Sequence, residues 1–294
     1  MLDENTYTIT LTVLVIIASI CCSMAIAVIV IKKPRTVLDE VLAHAFLTQI
    51  LCQIFFLAQS YTMQHARYTK SVKSYEIYAI LSVFHDIFSL DSMAFLTMTA
   101  IQQYIAVFYP LKLRIWVTTH KTRVTLAIIY VTFICIFVSF YLVSRYGNLD
   151  QQLLVSIYGI TKGLVFYGTF VAVLFFIYSA LVFKFMKRVC CKRSLESSES
   201  SSMHGGQFQD RKTLILLYSI FMGAIINRVG MSLVGLKGVP EDIIRLGVLV
   251  LIAQWIWTPC IYIAMNLKAW KGRQRRASQA GYSTNSVRST STNL

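Results

Sequence analysis

Seven long apolar stretches, separated by short polar segments, dominate this chain of 294 residues. Each is long enough to cross a bilayer as a helix, which needs about 20 predominantly apolar residues. The composition agrees: 14% of the residues are charged, whereas about a quarter are charged in a soluble domain. We therefore expect an all-α, integral membrane bundle of seven transmembrane helices. The predicted spans are 8–31, 38–61, 76–107, 124–144, 153–186, 213–235 and 243–265.

The positive charge of the chain is concentrated on alternate connecting segments. The net charge is +15, and 20 of the 28 lysines and arginines lie in 32–35, 110–123, 184–212 and the C-terminal tail. Because positively charged segments stay in the cytosol, this asymmetry predicts an extracellular N-terminus and a cytoplasmic C-terminus, which requires an odd number of spans. We expect a multi-pass protein of the plasma membrane whose partners include the lipid bilayer. The charge needs no nucleic-acid partner.

Two serine-rich segments interrupt the apolar pattern. Residues 194–210 and 277–294 contain too few apolar residues to form a packed core, and we expect the second to be a disordered cytoplasmic tail. Between the last span and this tail, Leu267 and Trp270 lie three residues apart among basic residues. That pattern predicts a short amphipathic helix on anionic lipid. Residues 1–276 are therefore expected to form one seven-transmembrane domain that includes this helix.

Three short cytoplasmic motifs are typical of modification or docking sites. Cys190 and Cys191 follow a Lys-Arg pair at the inner end of span five, where juxtamembrane cysteines are palmitoylation candidates. Two unmodified thiols are the alternative. Ser278 follows the arginines at 275–276 and suits a basophilic kinase. Residues 291–294, Ser-Thr-Asn-Leu, are similar to the C-terminal ligands of PDZ scaffold domains.

The inner ends of spans three and seven carry the most specific motifs. Gln102-Gln103-Tyr104 precedes Ile-Ala-Val at 105–107 and Pro-Leu at 110–111, and span seven ends in Thr-Pro-x-x-Tyr at 258–262. This arrangement resembles the rhodopsin-like (class A) G-protein-coupled receptors, which carry an Asp-Arg-Tyr box and an Asn-Pro-x-x-Tyr switch there. The resemblance covers residues 8–276 and implies a divergent receptor, for example of chemosensory type. The implied coupling residues are Gln102, Gln103, Tyr104, Tyr178, Pro259 and Tyr262.

The chain departs from that family at polar positions of the bundle interior. Gln102-Gln103 replaces the Asp-Arg pair, Phe46 stands at the place of the sodium-site aspartate, and Thr258 replaces the asparagine of span seven. Ionisable groups are costly inside a membrane and persist mainly where they function. The departures therefore imply that sodium regulation is lost and that coupling to a G protein is weak or atypical.

The ionisable residues that remain inside the spans are candidates for function. His85 and Ser89 share one face of span three, and the resemblance puts Lys162 and Arg228 at pocket-facing positions. Converging cations in a low-dielectric cavity favour a carboxylate, sulfate or phosphate group on a ligand. Two alternatives stay open: the cations pair with Asp86 and Asp91, or Lys162 extends to the outer surface. The candidate ligand-site residues are His85, Asp86, Ser89, Lys162 and Arg228.

We expect a cell-surface receptor that binds an extracellular ligand and signals through a heterotrimeric G protein. A receptor-like protein that does not signal, such as a decoy or scavenger, is the alternative, because the Asp-Arg pair is missing. A seven-helix photoreceptor does not fit, because span seven (246–265) has no lysine for a retinal Schiff base. A small-molecule transporter is the weaker alternative: a transporter should show paired halves or broken helices, and Pro259 is the only clear proline inside a predicted span. The five histidines show no metal-ligand spacing. We expect neither an enzyme nor a cofactor or metal site.

Overall fold

The structure is a computed structural model, and it describes residues 4–32, 36–147, 151–193, 215–216, 218–223, 225, 240, 243–250, 252–253 and 255–267. These residues are helical apart from short connections, and none of them is in a β-strand. The helices are α1 (Glu4–Ile31), α2 (Val37–Thr69), α3 (Val72–Phe108), α4 (Pro110–Trp116), α5 (Thr119–Tyr146), α6 (Gln151–Ile160), a π-helical segment (Thr161–Tyr167), α7 (Gly168–Arg193) and α8 (Ile243–Leu267).

In the described part of the chain, six helical segments are long and apolar enough to cross a membrane. They are Thr6–Ile31, Val37–Thr69, Val72–Phe108, Thr119–Tyr146, Ile157–Lys187 and Ile243–Leu267. The all-α membrane bundle is confirmed at this level, and these segments match six of the seven predicted spans. The remaining one, 213–235, is described only at 215–216, 218–223 and 225, which are helical. The seventh span stays a prediction.

Helix α2 begins and ends at defined capping structures. The Thr36 hydroxyl accepts from the Asp39 amide at 3.3 Å, and the Asp39 carboxylate accepts from the Thr36 amide at 2.9 Å. This reciprocal capping box satisfies two amide groups that the first helical turn leaves unpaired. At the other end, Lys70 adopts the left-handed conformation with φ 49° and donates its amide to Ala66. The two caps fix the length of α2, and so they fix where its polar residues lie in the bundle.

Helix α3 lies at the centre of the bundle, in contact with α2, α5, α7 and the π-helical segment. Its side chains from His85 to Gln102 are almost all buried. On the sides of α1 and α5 that face away from the core, large apolar side chains such as Ile9, Ile128 and Val131 are exposed. A soluble protein rarely exposes so much contiguous apolar surface, whereas a helix in a bilayer presents it to lipid. The few polar groups of α3 therefore meet other helices and not the surroundings.

A second, smaller core joins the first and last helices. Leu11, Val15 and Ala18 of α1 pack in one cluster with Ile252 and Trp255 of α8. Farther along α1, the Cys22 thiol lies 3.9 Å from the Trp255 carbonyl oxygen. Since the residue numbers rise together along both helices, α1 and α8 run parallel.

Candidate functional site

The buried carboxylate of Asp86 is the centre of a polar network formed by His85, Asp86, Ser89, Tyr158, Lys162 and Tyr167. We call it the outer network, because the charge asymmetry of the sequence predicts that this half of the bundle is extracellular. Asp86 is 2% exposed and accepts hydrogen bonds from the Lys162 ammonium and the Tyr158 hydroxyl. The Nδ1 atom of His85 lies 3.1 Å from Oδ1 of the same carboxylate. Donors from two separate parts of the chain thus converge on a single acid between α3 and the segment that runs from α6 into α7.

The π-helical segment Thr161–Tyr167 explains how two of its side chains reach α3 together. In a π-helix the backbone bonds run from residue i to i+5, so residues five apart stack on one face. Lys162 and Tyr167 are five apart: Lys162 contacts Asp86, and the Tyr167 hydroxyl lies 2.6 Å from the Ser89 hydroxyl. In a regular α-helix, residues five apart would point to different sides. The local π geometry therefore builds the site, and such segments are frequent at functional sites.

Aromatic rings enclose the network. Phe137 and Phe140 each pack edge-on against Tyr158 with centroids 5.7 Å apart. On the other side, Phe56 lies 5.5 Å from the His85 ring and meets Trp255 edge-on. These apolar walls lower the local dielectric, which strengthens the attraction between Asp86 and its donors.

The structure realises one of the alternatives that the sequence leaves open for Lys162. Its side chain is 14% exposed, and its ammonium group is paired with Asp86. It does not extend to the outer surface. Asp86 and Lys162 cancel each other in formal charge, so an anionic ligand group would have to compete with Asp86 for this lysine. Arg228 lies outside the described residues.

A small cavity with both polar and apolar walls lies next to the network. It is lined by Gln49, Cys52, Ser89, Ser92, Met93, Leu96, Trp255 and Thr258. It leaves about 10 Å³ for the centre of a water molecule, which is about the room that one water needs. The hydroxyls of Ser89, Ser92 and Thr258 supply the polar partners that such a water requires.

Asp91 stands apart from the other aspartates of the bundle. It is fully buried in α3, and neither oxygen of its carboxyl group has a hydrogen-bond partner in the described part of the chain. The sequence offered Asp91 as a partner for Lys162 or Arg228, but Lys162 pairs with Asp86 instead. A buried carboxyl group without a hydrogen-bond partner destabilises the folded chain, because its contacts with water are lost and no others replace them.

A second polar network, which the sequence analysis missed, lies at the predicted cytoplasmic end of the bundle. Its centre is Asp39, which is 1% exposed. The Lys32 ammonium donates to both carboxylate oxygens at 2.8 and 2.9 Å, and the Tyr262 hydroxyl donates to Oδ1 at 2.9 Å. The Thr36 hydroxyl adds a bond of 2.8 Å. The network joins the end of α1, the start of α2 and the end of α8.

The predicted coupling residues occupy the same end of the bundle. Tyr262 packs edge-on against Phe46 and binds Asp39, and Pro259 is buried one turn before it. Tyr178 of α7 stacks on Phe221 with the rings 13° from parallel. Tyr104 stacks on Phe108 at 4.5 Å.

The two glutamines at the Asp-Arg position differ in their surroundings. Gln102 is 5% exposed, and its amide oxygen and nitrogen have no hydrogen-bond partner among the described residues. Gln103 is half-buried. A buried amide without partners is unusual in a folded protein.

The predicted modification sites lie at or beyond the limits of the described chain. Cys190 and Cys191 are in the last turns of α7, and Ser278 lies outside the described residues, as do the predicted helix beyond Leu267 and the tail 277–294. Of the two tryptophans of α8, Trp255 is buried and Trp257 is 53% exposed. Palmitoylation, phosphorylation and scaffold binding stay predictions.

Two tyrosines of the outer network were not among the predicted site residues. Tyr158 and Tyr167 bind Asp86 and Ser89, but tyrosines are common in apolar helices and carry no charge to mark them. A helical wheel with the α-helical period would have placed Tyr158 beside Lys162, four residues on. The same wheel would have placed Tyr167 on a side of the helix that points away from α3, because the wheel assumes α-helical geometry and the segment is π-helical.

Comparison of the chain with known proteins finds no protein-family model that matches it and no curated protein that is significantly similar to it.

Proposed function

We propose that this chain is a membrane receptor of the rhodopsin-like type that binds an extracellular ligand and signals through a G protein. Two kinds of observation support the proposal: the spacing of the motifs at 102–111 and 258–262, and six helices that are apolar enough to span a membrane. The observation that carries it is the ion pair between Lys162 and Asp86, buried between two such helices. Ionisable residues inside a membrane bundle are by default functional candidates.

The ion pair suggests how a ligand would act. A ligand with a carboxylate, sulfate or phosphate group competes with Asp86 for the Lys162 ammonium and for His85. Since Lys162 lies on the π-helical segment and Asp86 on α3, this exchange breaks the main polar contact between them. The two helices then shift relative to each other, and the ligand stabilises the shifted arrangement only by its difference in affinity for the two states.

The network around Asp39, with Lys32, Thr36 and Tyr262, is the inner network, and in this proposal it responds to the shift of the helices. Tyr262 ties α8 to the start of α2 through Asp39, and Tyr104 and Tyr178 lie at the same end of the bundle. Release of the outer contact changes the packing of α3, on which these groups depend. The opened inner face then binds the G protein.

The experiment uses a G-protein dissociation assay in cells, with surface delivery measured in parallel. A panel of small carboxylates, sulfates and phosphates is applied to the natural chain and to the double variant Asp86→Leu with Lys162→Met. Because the double variant removes both charges of the Lys162–Asp86 pair together, neither of them is left buried alone, and the variant should reach the cell surface. We expect the response to acidic ligands to disappear in the double variant. An unchanged response at equal surface level would contradict the proposed ligand site.

A receptor-like protein that does not signal is a second candidate, favoured by the glutamines at 102–103. Gln103 has no charge, and hydrogen bonds between neutral groups are roughly half as strong as charge-assisted ones. Gln103→Arg should raise the G-protein response if the natural chain is a weak receptor. If neither the natural chain nor Gln103→Arg activates any G protein at normal surface level, the decoy function is the better explanation.

A further inference from the structure

Two cysteine thiols from the first and last helices face each other at the surface of the bundle. The Sγ atom of Cys21 in α1 lies 3.7 Å from the Sγ atom of Cys260 in α8. Cys260 is exposed, Cys21 is half-buried, and both are free thiols. Each is therefore accessible to small molecules from the surroundings of the bundle.

The packing of α1 against α8 holds the two thiols in register. Five residues before Cys260, Trp255 packs in the same cluster as Leu11, Val15 and Ala18. Cys22, next to Cys21, contacts the Trp255 carbonyl at 3.9 Å. These contacts hold α1 and α8 against each other next to the pair of thiols.

The depth of the pair in a bilayer decides which reagents reach it. Cys21 precedes Lys32, at the end of α1, by eleven residues, which is about 16 Å along a helix. Taking Lys32 as the boundary of the hydrocarbon core, which is about 30 Å thick in a bilayer, the pair lies near the middle of that core. Apolar oxidants, above all hydroperoxides of lipid acyl chains, dissolve there, whereas charged aqueous oxidants do not.

We propose that Cys21 and Cys260 are a modification site at which an apolar hydroperoxide forms a disulfide between α1 and α8. One thiol takes the terminal oxygen of the hydroperoxide and becomes a sulfenic acid, while the O–O bond breaks and an alcohol leaves. The second thiol then attacks the sulfenic sulfur and releases water. The two thiols lose two electrons, the hydroperoxide accepts both, and the two thiol protons end in the alcohol and the water.

The reaction needs only a small movement. A disulfide bond is about 2.05 Å long, so the sulfur atoms must approach by less than about 2 Å from their separation of 3.7 Å. The bond would tie α1 to α8 at the residue that follows Pro259 and two before Tyr262. This modification depends on the two thiols alone, so it stands or falls separately from the proposed ligand site.

A protease site inserted into 194–210 tests the proposal, because cleavage there separates Cys21 from Cys260. Membranes that contain the full chain are treated with cumene hydroperoxide, quenched with a thiol-blocking reagent, cleaved and run on a denaturing gel without reductant. We expect the two fragments to migrate together, and reductant should separate them. Cys21→Ser and Cys260→Ser should each abolish the linked band.

Two controls distinguish this pair from general oxidation. Cys135→Ser removes an exposed thiol of α5 and should leave the linked band unchanged. Tetrathionate, an anionic oxidant that stays in water, should produce no linked band in intact membranes. Fragments that remain separate after hydroperoxide treatment, or a linked band that persists in Cys21→Ser, would overturn the proposal. Ready linkage by tetrathionate would overturn the assignment to an apolar oxidant.

Discussion

The outer and inner polar networks contain the same three residue types, but they differ in how far apart in the sequence the partners lie. Each has a buried aspartate that accepts from a lysine and a tyrosine: Asp86 with Lys162 and Tyr158, Asp39 with Lys32 and Tyr262. The partners of Asp39 are mostly local, since Lys32 is seven residues away. Lys162, in contrast, is 76 residues from Asp86.

The two lysines also differ in their access to water. The Lys32 side chain is 26% exposed and the Lys162 side chain is 14% exposed and enclosed by aromatic rings. Loss of its aspartate leaves Lys32 able to turn towards water, whereas Lys162 would remain buried without a counter-charge. The comparison teaches that the same chemistry can be built onto a helix cap, as at Asp39, or can depend entirely on side chains inside the bundle, as at Asp86.

The largest expected effect comes from breaking the outer pair on one side only. Asp86→Leu leaves a buried ammonium without its partner, and we expect the free energy of unfolding to fall by about 3–5 kcal/mol. Asp86→Leu combined with Lys162→Met should recover most of this loss, because the ammonium group that lost its partner is removed as well. The measurement is the apparent melting temperature in detergent, together with surface delivery.

The matched change in the inner network is Lys32→Met, and Lys73→Met serves as a neutral control because Lys73 is exposed on α3. Lys32→Met should cost less than Lys162→Met, because Asp39 keeps the bonds from the Thr36 amide, the Thr36 hydroxyl and Tyr262. Among the described residues, Asp86 would keep only Tyr158 and the contact with His85. Equal losses in the two lysine variants would remove the distinction between the networks.

The tyrosine of each network contributes one hydrogen bond to a carboxylate. Tyr158→Phe and Tyr262→Phe should each lower the free energy of unfolding by about 1.5–3 kcal/mol, the range for bonds to charged groups. Thermal melts of both variants in the same detergent measure the effect. Tyr146→Phe, at a side chain that is 77% exposed, should change nothing. If Tyr158→Phe is silent as well, the Tyr158 hydroxyl is not bound to Asp86.

Substitution of Asp91 should raise the free energy of unfolding, in contrast to the substitutions above. Its carboxyl group has no hydrogen-bond partner in the described residues, so Asp91→Leu removes an unsatisfied buried group and no bond. We expect the free energy of unfolding to rise by about 1–3 kcal/mol, which is the usual cost of leaving such a group unpaired. A rise in melting temperature checks this. A fall would mean that Asp91 binds a partner or a ligand in the membrane.

The smallest effect concerns the cap that anchors the inner network. Thr36→Ala removes the hydroxyl that accepts from the Asp39 amide, and loss of such a cap typically costs about 1 kcal/mol. Ser71 precedes α3 but makes no capping bond with its side chain. Ser71→Ala is therefore the matched control and should leave the melting temperature unchanged. If both variants had lower melting temperatures, the loss could not be assigned to the capping bond of Thr36.

Prediction from the sequence succeeded where the signal is local. The apolar lengths gave the six candidate spans that the structure describes, because the thickness of the bilayer sets the length of an apolar helix. The Thr36-x-x-Asp39 pattern is a capping box that could also have been recognised at this stage. It would have pointed to Asp39 as the centre of a polar cluster, although not to Tyr262.

Prediction fell short where two distant helices meet. The sequence left three possibilities for Lys162, and the choice of Asp86 depends on the rotation of the segment 161–167 relative to α3. The π-helical geometry changes that rotation, and no residue type in Thr161–Tyr167 announces it. Tyr158 and Tyr167 were missed for the same reason.

The sequence by itself determined that the chain is helical, apolar and divided into spans, because these properties follow from composition and period along one segment. It also determined which ionisable residues remain in the spans. Only the tertiary structure decided that Asp86 binds Lys162, that Asp91 has no hydrogen-bond partner among the described residues, and that Cys21 faces Cys260. Such pairings depend on how helices far apart in the chain are rotated and shifted against one another. That arrangement is set by the packing of all their side chains together, and no single segment contains it.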